Sequence, residues 1–337
     1  MLNKAPSGIA ISGMCVLSSA GETASALCAR AGRGEQAPAQ IDLRSYEKEI
    51  DAIETGPHEL YRVQKLLLAA TVRALRMAGM PIGSASIERA GIFFGNTYGV
   101  EEFKAAFFQC YKKSDPSLTS PVLFPFTTAN ALGCWLAIQV GAKGPNLTFV
   151  SGTVSSSEAI IAACDALSSG ACETALVGGV SIVNNDFMCE QRDSGFKNEL
   201  VGILIMEKAD RMITDGRTPI ALISDCRRGT ISSEQIEKIT NERSGLIHCG
   251  DNLGDELFIS LRSAVAVGRR GRKSFCLDEA VGNAFDAAGV FGVILAAELL
   301  RAPEGERWIP LDITDDDIGF LNINSYGAVV TTVIRRA

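Results

Sequence analysis

The short turn Ser151–Gly152–Thr153 is the first place in the sequence where chemistry could be centred. It follows the apolar run Leu147 to Val150 and precedes a serine-rich amphipathic segment from Ser155 to Ser168. This order predicts a strand, a sharp turn and a helix. The unpaired N–H groups and the dipole at a helix N-terminus favour a nucleophile or an oxyanion at such a turn.

Thr153 is the side chain that this turn would present to a reactant. A threonine hydroxyl is far less acidic than a cysteine thiol, whose pKa is about 8.5. The helix dipole alone therefore does not make it an anion, and the sequence shows no neighbouring base. A hydroxyl that satisfies the helix N-cap is the simpler interpretation.

Imidazole and thiol groups offer little else for catalysis or metal binding. Only His58 and His248 could supply imidazole, and the 10 cysteines form no CxxC pair and no metal-ligand spacing. His58 follows Pro57 at a helix start and is expected at the surface. We expect free, mostly buried thiols, no metal and no cofactor.

Composition favours an α/β protein in the cytoplasm. The chain has 337 residues, 47% of them apolar, with 33 glycines and a net charge of −7, so nucleic-acid binding is not expected. The basic run Arg269 to Lys273 is interpreted as a solvated loop rather than a docking patch. No segment is long and apolar enough to cross a bilayer. Ser12 and Gly13 interrupt the apolar run Ile9 to Leu17, which favours a first strand over a signal peptide.

Secondary-structure patterns repeat along the chain. A helix is predicted over His58 to Met80 and a buried strand over Gly91 to Gly95. Further strands are predicted over Val201 to Glu207 and, after Ile220, in a second strand–helix–strand series that reaches the C-terminus. Two pseudo-duplicated halves follow, 1–216 and 217–337.

Several motifs resemble the β-ketoacyl-acyl-carrier-protein synthases of the thiolase superfamily. They are GPNLTF, the serine-rich helix start, ALVGGV and the segment FPFTTANALGCWLAIQVGAKGPN from Phe124 to Asn146. The resemblance implies the thiolase fold, an α/β architecture of five layers α-β-α-β-α with two pseudo-duplicated halves.

The resemblance also locates the family's catalytic positions. The family cysteine, which carries the acyl chain, corresponds to Thr153, and one family histidine corresponds to Asn283, whose amide cannot exchange a proton near neutral pH. The nearest match to the other histidine is His248, across a one-residue gap. Asp278 replaces a family lysine. Backbone N–H groups of Thr153 and Ala328, the latter after a loop resembling Asn-Ser-Phe-Gly, would form the oxyanion hole.

These replacements favour a chain-length-factor-like subunit without catalytic activity, although the sequence leaves enzyme activity open. Such a subunit would pair with a homologous ketosynthase and work with an acyl carrier protein in polyketide, aryl-polyene or specialised fatty-acid synthesis. Chain-length factors usually have glutamine at the cysteine position, and Thr153 departs from that pattern. One alternative is an acyltransferase or thioesterase that uses Thr153 or a nearby serine with His248. Another is a self-paired acyl-binding or regulatory protein.

Two surfaces follow from the resemblance. In the thiolase fold the strand before the nucleophile turn pairs across the dimer two-fold, so Leu147, Thr148, Phe149 and Val150 are expected in an interface. In chain-length factors the segment matching Glu101 to Tyr111 closes the far end of the acyl channel, which would make Phe103, Phe107 and Cys110 tunnel residues. The alternative is that this helical face belongs to the core.

Overall fold

The computed structural model describes residues 8–19, 21–23, 26, 40–55, 59–113, 121–182, 199–230, 245–250, 274–277, 284–303, 317–323 and 328–337. Its strands are β1 Ile9–Ser18, β2 Gly91–Gly95, β3 Asn146–Phe149, β4 Thr174–Ser181, β5 Leu200–Lys208, β6 Ala221–Thr230, β7 Gly245–Gly250, β8 Ser274–Cys276, β9 Asp317–Ile323 and β10 Ala328–Arg335.

The strands of the described regions form one mixed sheet with an internal repeat. Their order is β3-β2-β4-β5-β1-β6-β10-β9-β7-β8. In the first half β2 runs parallel to β3 and β4, and β5 runs antiparallel to β4 and β1. In the second half β7 runs parallel to β8 and β9, and β10 runs antiparallel to β9 and β6. The same five-strand pattern therefore occurs twice, which confirms the pseudo-duplication; the boundary at residue 216 stays a prediction.

Helices cover the sheet and connect its strands. They are α1 Glu47–Ile50, α2 Arg62–Met77, α3 Ala85–Glu88, α4 Glu101–Lys113, α5 Ala131–Val140, α6 Ser155–Ser169, α7 Ala209–Thr214 and α8 Ala288–Arg301, with 3-10 turns at Leu43–Tyr46, Phe124–Thr127, Gly152–Val154 and Phe285–Ala287. None of the helices in these described ranges has the length and apolar character that a membrane span requires.

The repeat extends to two central helices. Each of α6 and α8 directly follows a 3-10 turn, α6 packs on β2 and β4, and α8 packs on β9 and β10. The two helices also pack against each other. Apart from Glu298 and Arg301 near its end, α8 is buried on all sides, as expected of a helix that is apolar all round.

Alternate side chains along the strands of the first half belong to two different hydrophobic clusters. Phe93 and Leu204 belong to the cluster around α6 and α8, whereas Phe94 and Ile205 belong to the cluster around α2 and α5. Since neighbouring strand residues point to opposite faces, the sheet of this half is buried on both sides. The loops that follow these strands are therefore attached to a sheet that is packed on both faces.

The contact between the central helices leaves no room for a side chain at Gly289. A Cβ there would lie 2.3 Å from Ser157 Oγ and 2.4 Å from Ser157 N. We therefore expect Gly289→Ala to lower the free energy of unfolding by about 1–3 kcal/mol, because one helix must move away from the other. Chemical denaturation measures this loss. Gly8→Ala is the matched control, since its nearest contact would be an ordinary 3.5 Å; equal losses in both variants would contradict the close approach.

Candidate functional site

The 3-10 turn Gly152–Val154 places Thr153 in the interior between the two halves. Thr153 is only 1% exposed. Its carbonyl accepts a hydrogen bond of 2.7 Å from Nδ2 of Asn322, and the same amide donates to Ser157 Oγ at 2.9 Å. Because Asn322 lies on β9, the second half of the chain binds the turn of the first half directly.

Two other hydroxyls satisfy the backbone of this turn. Ser155 Oγ donates to the Gly152 carbonyl at 2.6 Å and accepts from the Ser151 N–H at 2.9 Å. Thr97 Oγ1 accepts from the Gly152 N–H and lies 3.2 Å from Ser155 Oγ. The N-cap position of α6 is Val154, with no side-chain cap. The prediction that Thr153 caps the helix is therefore wrong, because the 3-10 turn shifts the cap by one residue.

The next serine connects the two central helices. Ser156 is buried, and its Oγ accepts hydrogen bonds from the N–H groups of Gly289 at 3.0 Å and Val290 at 3.3 Å, in the first turn of α8. These N–H groups have no partner within the helix. The three consecutive serines therefore have different partners: Ser155 bonds the turn, Ser156 bonds the opposite helix and Ser157 accepts from Asn322. No sequence pattern indicated this difference.

Asp286 occupies the middle of the 3-10 turn before α8, as Thr153 does in the turn before α6. Its side chain is fully buried, and Oδ2 accepts hydrogen bonds from the N–H groups of Thr97 at 2.7 Å and Tyr98 at 2.9 Å. Burial raises the pKa of this carboxyl from 3.8 to about 6, although hydrogen bonds from Thr97 and Tyr98 partly offset the shift. Asp286 thus ties the loop after β2 to the second half.

A polar cluster lies at the outer end of the same turn. The Ser151 hydroxyl donates to Glu158 Oε2, and Glu158 Oε1 lies 3.1 Å from the guanidinium of Arg228. Glu158 is buried on α6, while Arg228 on β6 is mostly exposed. The cluster follows Val150 directly in the chain and contains a hydrogen-bonded hydroxyl and carboxylate.

The predicted catalytic positions are only partly described. His248 lies in β7, where its backbone is in register with Leu321 of β9 and Cys276 of β8. Ala328 begins β10 opposite Thr230. Three other positions that the resemblance identified fall outside the described residues: Asp278, Asn283 and the loop 324–327. His58 and the basic run 269–273 also fall outside them. The described residues therefore bring Thr153 together with Asn322, Asp286 and Thr97, a set that the motifs did not indicate.

Thiol chemistry has no support near the turn. The described cysteine side chains are free, namely those of Cys15, Cys110, Cys134, Cys164, Cys172 and Cys226. Among the described residues, no group of three or more His, Cys, Asp or Glu side chains could hold a metal ion. Burial raises the pKa of Cys15 and of Cys226 to about 12. Those two thiols stay protonated at neutral pH and are poor nucleophiles. Cys110 is exposed on α4, so the predicted burial of the thiols holds for some of them only.

The predicted tunnel residues on α4 lie in two different environments. Phe103 is fully buried, with its ring 4.5 Å from that of Tyr61 and 5.2 Å from that of Phe126. Phe107 is half-buried, and its ring lies 5.7 Å from that of Phe124, which is largely exposed. The first contact belongs to the core and the second to a surface aromatic cluster.

The predicted interface strand is the outermost strand of the first half. Within the described regions β3 pairs with β2 alone. Leu147 is 48% exposed and Val150 is 55% exposed, while Thr148 and Phe149 are half-buried. Ile138 of α5, a helix that packs on β3, is also exposed. An apolar edge strand of this kind is a template for pairing with another chain.

The fold is thiolase-like, with the mixed α/β sheet and flanking helices of ketosynthases. The structure resembles the solved ishigamide ketosynthase/chain length factor with a TM-score of 0.76 and 16% identity, over 98% of this chain and 99% of that one. It also resembles a structure of a type II polyketide synthase acyl-carrier protein in complex with its ketosynthase, with a TM-score of 0.74 and 16% identity over 98% and 99% of the two chains.

Part of the sequence is also similar to ketosynthase and polyketide synthase sequences. Residues 29–195 match the family model described as Beta-ketoacyl synthase, N-terminal domain, and this range contains Thr153. The chain is 29% identical over 173 residues to the methylphloroacetophenone synthase of Cladonia uncialis, covering 48% of this chain and 6% of that protein. A highly reducing polyketide synthase of Cryptosporiopsis sp. (strain 8999) is 26% identical over 190 residues, or 51% and 7% of the two chains. The chain thus matches only a small part of these curated relatives.

Proposed function

We propose that the chain is a non-catalytic, chain-length-factor-like subunit that pairs with an active β-ketoacyl-acyl-carrier-protein synthase in polyketide or related acyl-chain synthesis. The observation that carries this proposal is the occupant of the nucleophile-type turn. Thr153 stands there, buried, with its carbonyl bound to Asn322 from the other half. A ketosynthase-like fold has thus kept its central turn without a thiol.

Condensation makes demands that these residues do not meet. It needs a thiolate to carry the acyl group, imidazoles to assist decarboxylation, and donors for the oxyanion. Thr153 offers a hydroxyl, and Asn283 offers an amide that does not exchange protons near neutral pH. The buried carboxyl next to the turn, Asp286, accepts hydrogen bonds from the backbone of Thr97 and Tyr98, so it is committed to that loop.

A partner chain is proposed because of the surface around β3. The exposed apolar edge, with Leu147 and Val150 at its centre, suits pairing with a homologous strand across a two-fold axis. One similar structure is named as a ketosynthase/chain length factor and another as an acyl-carrier protein in complex with its ketosynthase. These names support a homologous ketosynthase and an acyl carrier protein as the partners.

The isolated protein should show no condensing activity with acyl- and malonyl-carrier-protein substrates. Thr153→Cys alone should not restore it, because the variant gains a thiol but still has an amide at Asn283 where the family has an imidazole. Product formation followed by mass spectrometry measures this, with an active ketosynthase as the positive control. Turnover well above background that Thr153→Ala abolishes would overturn the non-catalytic assignment.

One observation supports a second candidate, an acyltransferase or thioesterase of changed chemistry. The Ser151 hydroxyl donates to the Glu158 carboxylate beside the turn, and a carboxylate can act as the base that activates a serine. In that case Ser151→Ala and Glu158→Gln would both abolish acyl-thioester hydrolysis. Under the main proposal the wild-type protein hydrolyses acyl thioesters no faster than either variant, and self-association without a ketosynthase would instead favour a self-paired acyl-binding protein.

A further inference from the structure

Asp286 holds a loop that no catalytic assignment above explains. Its Oδ2 binds the N–H groups of Thr97 and Tyr98. Its Oδ1 is buried and has no hydrogen-bond partner among the described residues. A buried carboxylate with an unsatisfied oxygen is unfavourable when charged and less so when protonated. Nothing in the fold alone requires an acid at this place, since the matching position before α6 is Thr153.

We propose that Asp286 is a charge-dependent latch that positions the loop 96–100, closed when the carboxyl is protonated and loosened when it is ionised. The proposal goes beyond the function proposed above and does not depend on it. It concerns the loop's position, which exists whether or not the protein has a partner or an activity.

The loop is short, so a shift at Thr97 and Tyr98 reaches the neighbouring elements. Five residues separate the end of β2 at Gly95 from the start of α4 at Glu101. Thr97 Oγ1 also accepts from the Gly152 N–H and lies beside Ser155 Oγ. The latch therefore connects three parts: the turn at Thr153, the turn before α8, and the helix that carries Phe103 and Phe107.

Charged groups from the surrounding elements do not compensate the carboxyl. The turn of Asp286 packs against β4, β5, α6, α8 and the turn Gly152–Val154. Strand β4 and that turn contain no charged residue. The charged groups on the other elements and the loop are paired elsewhere: Glu158 with Arg228, Glu207 with Arg217, Lys208 with the Ser168 carbonyl, and Glu101 with Lys104. Four further groups lie in the later turns of α6 and α8: Cys164, Asp165, Glu298 and Arg301. Tyr98 contacts Asp286 itself, through its backbone N–H.

The direction of the pH response follows from linkage. In the closed, buried state the pKa of Asp286 is raised from 3.8 to about 6. The closed state therefore binds more protons than a hydrated, open state, and its advantage is lost as the pH rises through that range. Full ionisation favours opening by up to about 100-fold, and the change between pH 5 and pH 7.5 is about 10-fold.

Amide hydrogen exchange on the intact 337-residue chain tests the latch. After correction for the intrinsic pH dependence of exchange, the opening equilibrium at Thr97 and Tyr98 should rise about 10-fold from pH 5 to pH 7.5. Asp286→Asn keeps an acceptor oxygen without the charge. It should remove this pH dependence and protect both amides more strongly than wild type at pH 7.5.

Two further variants separate the latch from a general loss of structure. Asp286→Ala removes the acceptor, so both amides should exchange faster at every pH without a pH-dependent step. Asp165→Asn removes an exposed carboxyl on α6 and should leave the wild-type response unchanged. An unchanged pH response in Asp286→Asn, or weaker protection than wild type at pH 7.5, would overturn the proposal.

Discussion

Val150→Asp should abolish the pairing of this chain with the ketosynthase partner that we propose. Val150 is 55% exposed at the end of β3, beside Leu147 at 48%, and pairing would bury it. An aspartate there would place an unpaired charge in a desolvated interface, at a cost of roughly 3 kcal/mol or more, which weakens association by over 100-fold. Co-expression followed by analytical ultracentrifugation measures the fraction of heterodimer.

The matched control is Ile213→Asp. Ile213 is 41% exposed on α7, a helix that packs on β1 and β5 rather than on β3. This variant adds the same charge to a similarly exposed aliphatic position and should leave the heterodimer intact. A heterodimer that survives Val150→Asp with unchanged affinity would remove β3 from the interface.

Local sequence patterns were sufficient to predict most of the secondary structure of the first half. The strand over Gly91 to Gly95 and the strand, turn and helix around Thr153 have the predicted order, because apolar runs and glycines act over short distances. The helix predicted from His58 begins only at Arg62, since Tyr61 is extended and its N–H donates to the Gln64 side chain. This contact of Gln64, three residues after Tyr61, gave no clear sequence signal.

The candidate site could not be predicted from motifs because its contacts join distant parts of the chain. Asn322 reaches Thr153 across 169 residues, and Asp286 reaches Thr97 across 189. Such contacts depend on how the two halves meet, which local periodicity does not encode. Asp286 did leave one signal, as the only charged residue in the small-residue run from Gly282 to Gly289.

The resemblance to the ketosynthases predicted the position of the candidate site, but it did not predict the contacts of the turn. Thr153 is buried, and its carbonyl and the neighbouring backbone are bound by Asn322, Ser155 and Thr97. These bonds fix the turn through its backbone. The turn is therefore held by contacts between the two halves of the chain, which do not require a thiol at position 153.

Phe103→Ala should act through stability. The Phe103 ring is fully buried between Tyr61 and Phe126, so truncation leaves a cavity and lowers the free energy of unfolding by about 3–5 kcal/mol. This burial favours the core interpretation for Phe103, although its tunnel role stays untested. Denaturation curves measure the loss, and product length in the reconstituted pair should not change.

Phe107→Ala should instead lengthen the product. Phe107 is half-buried beside Phe124 in the surface aromatic cluster, one turn after Phe103, so its ring would fill space at the subunit interface that an elongating chain could enter. The stability loss should stay well below that of Phe103→Ala, because the ring is already partly hydrated. Product mass spectra of the reconstituted pair measure chain length. The control is Phe108→Ala, which truncates the more exposed neighbouring ring and should leave the products as in wild type. Unchanged products in Phe107→Ala would remove the tunnel assignment. This face of the helix would then belong only to the core and surface of its own subunit.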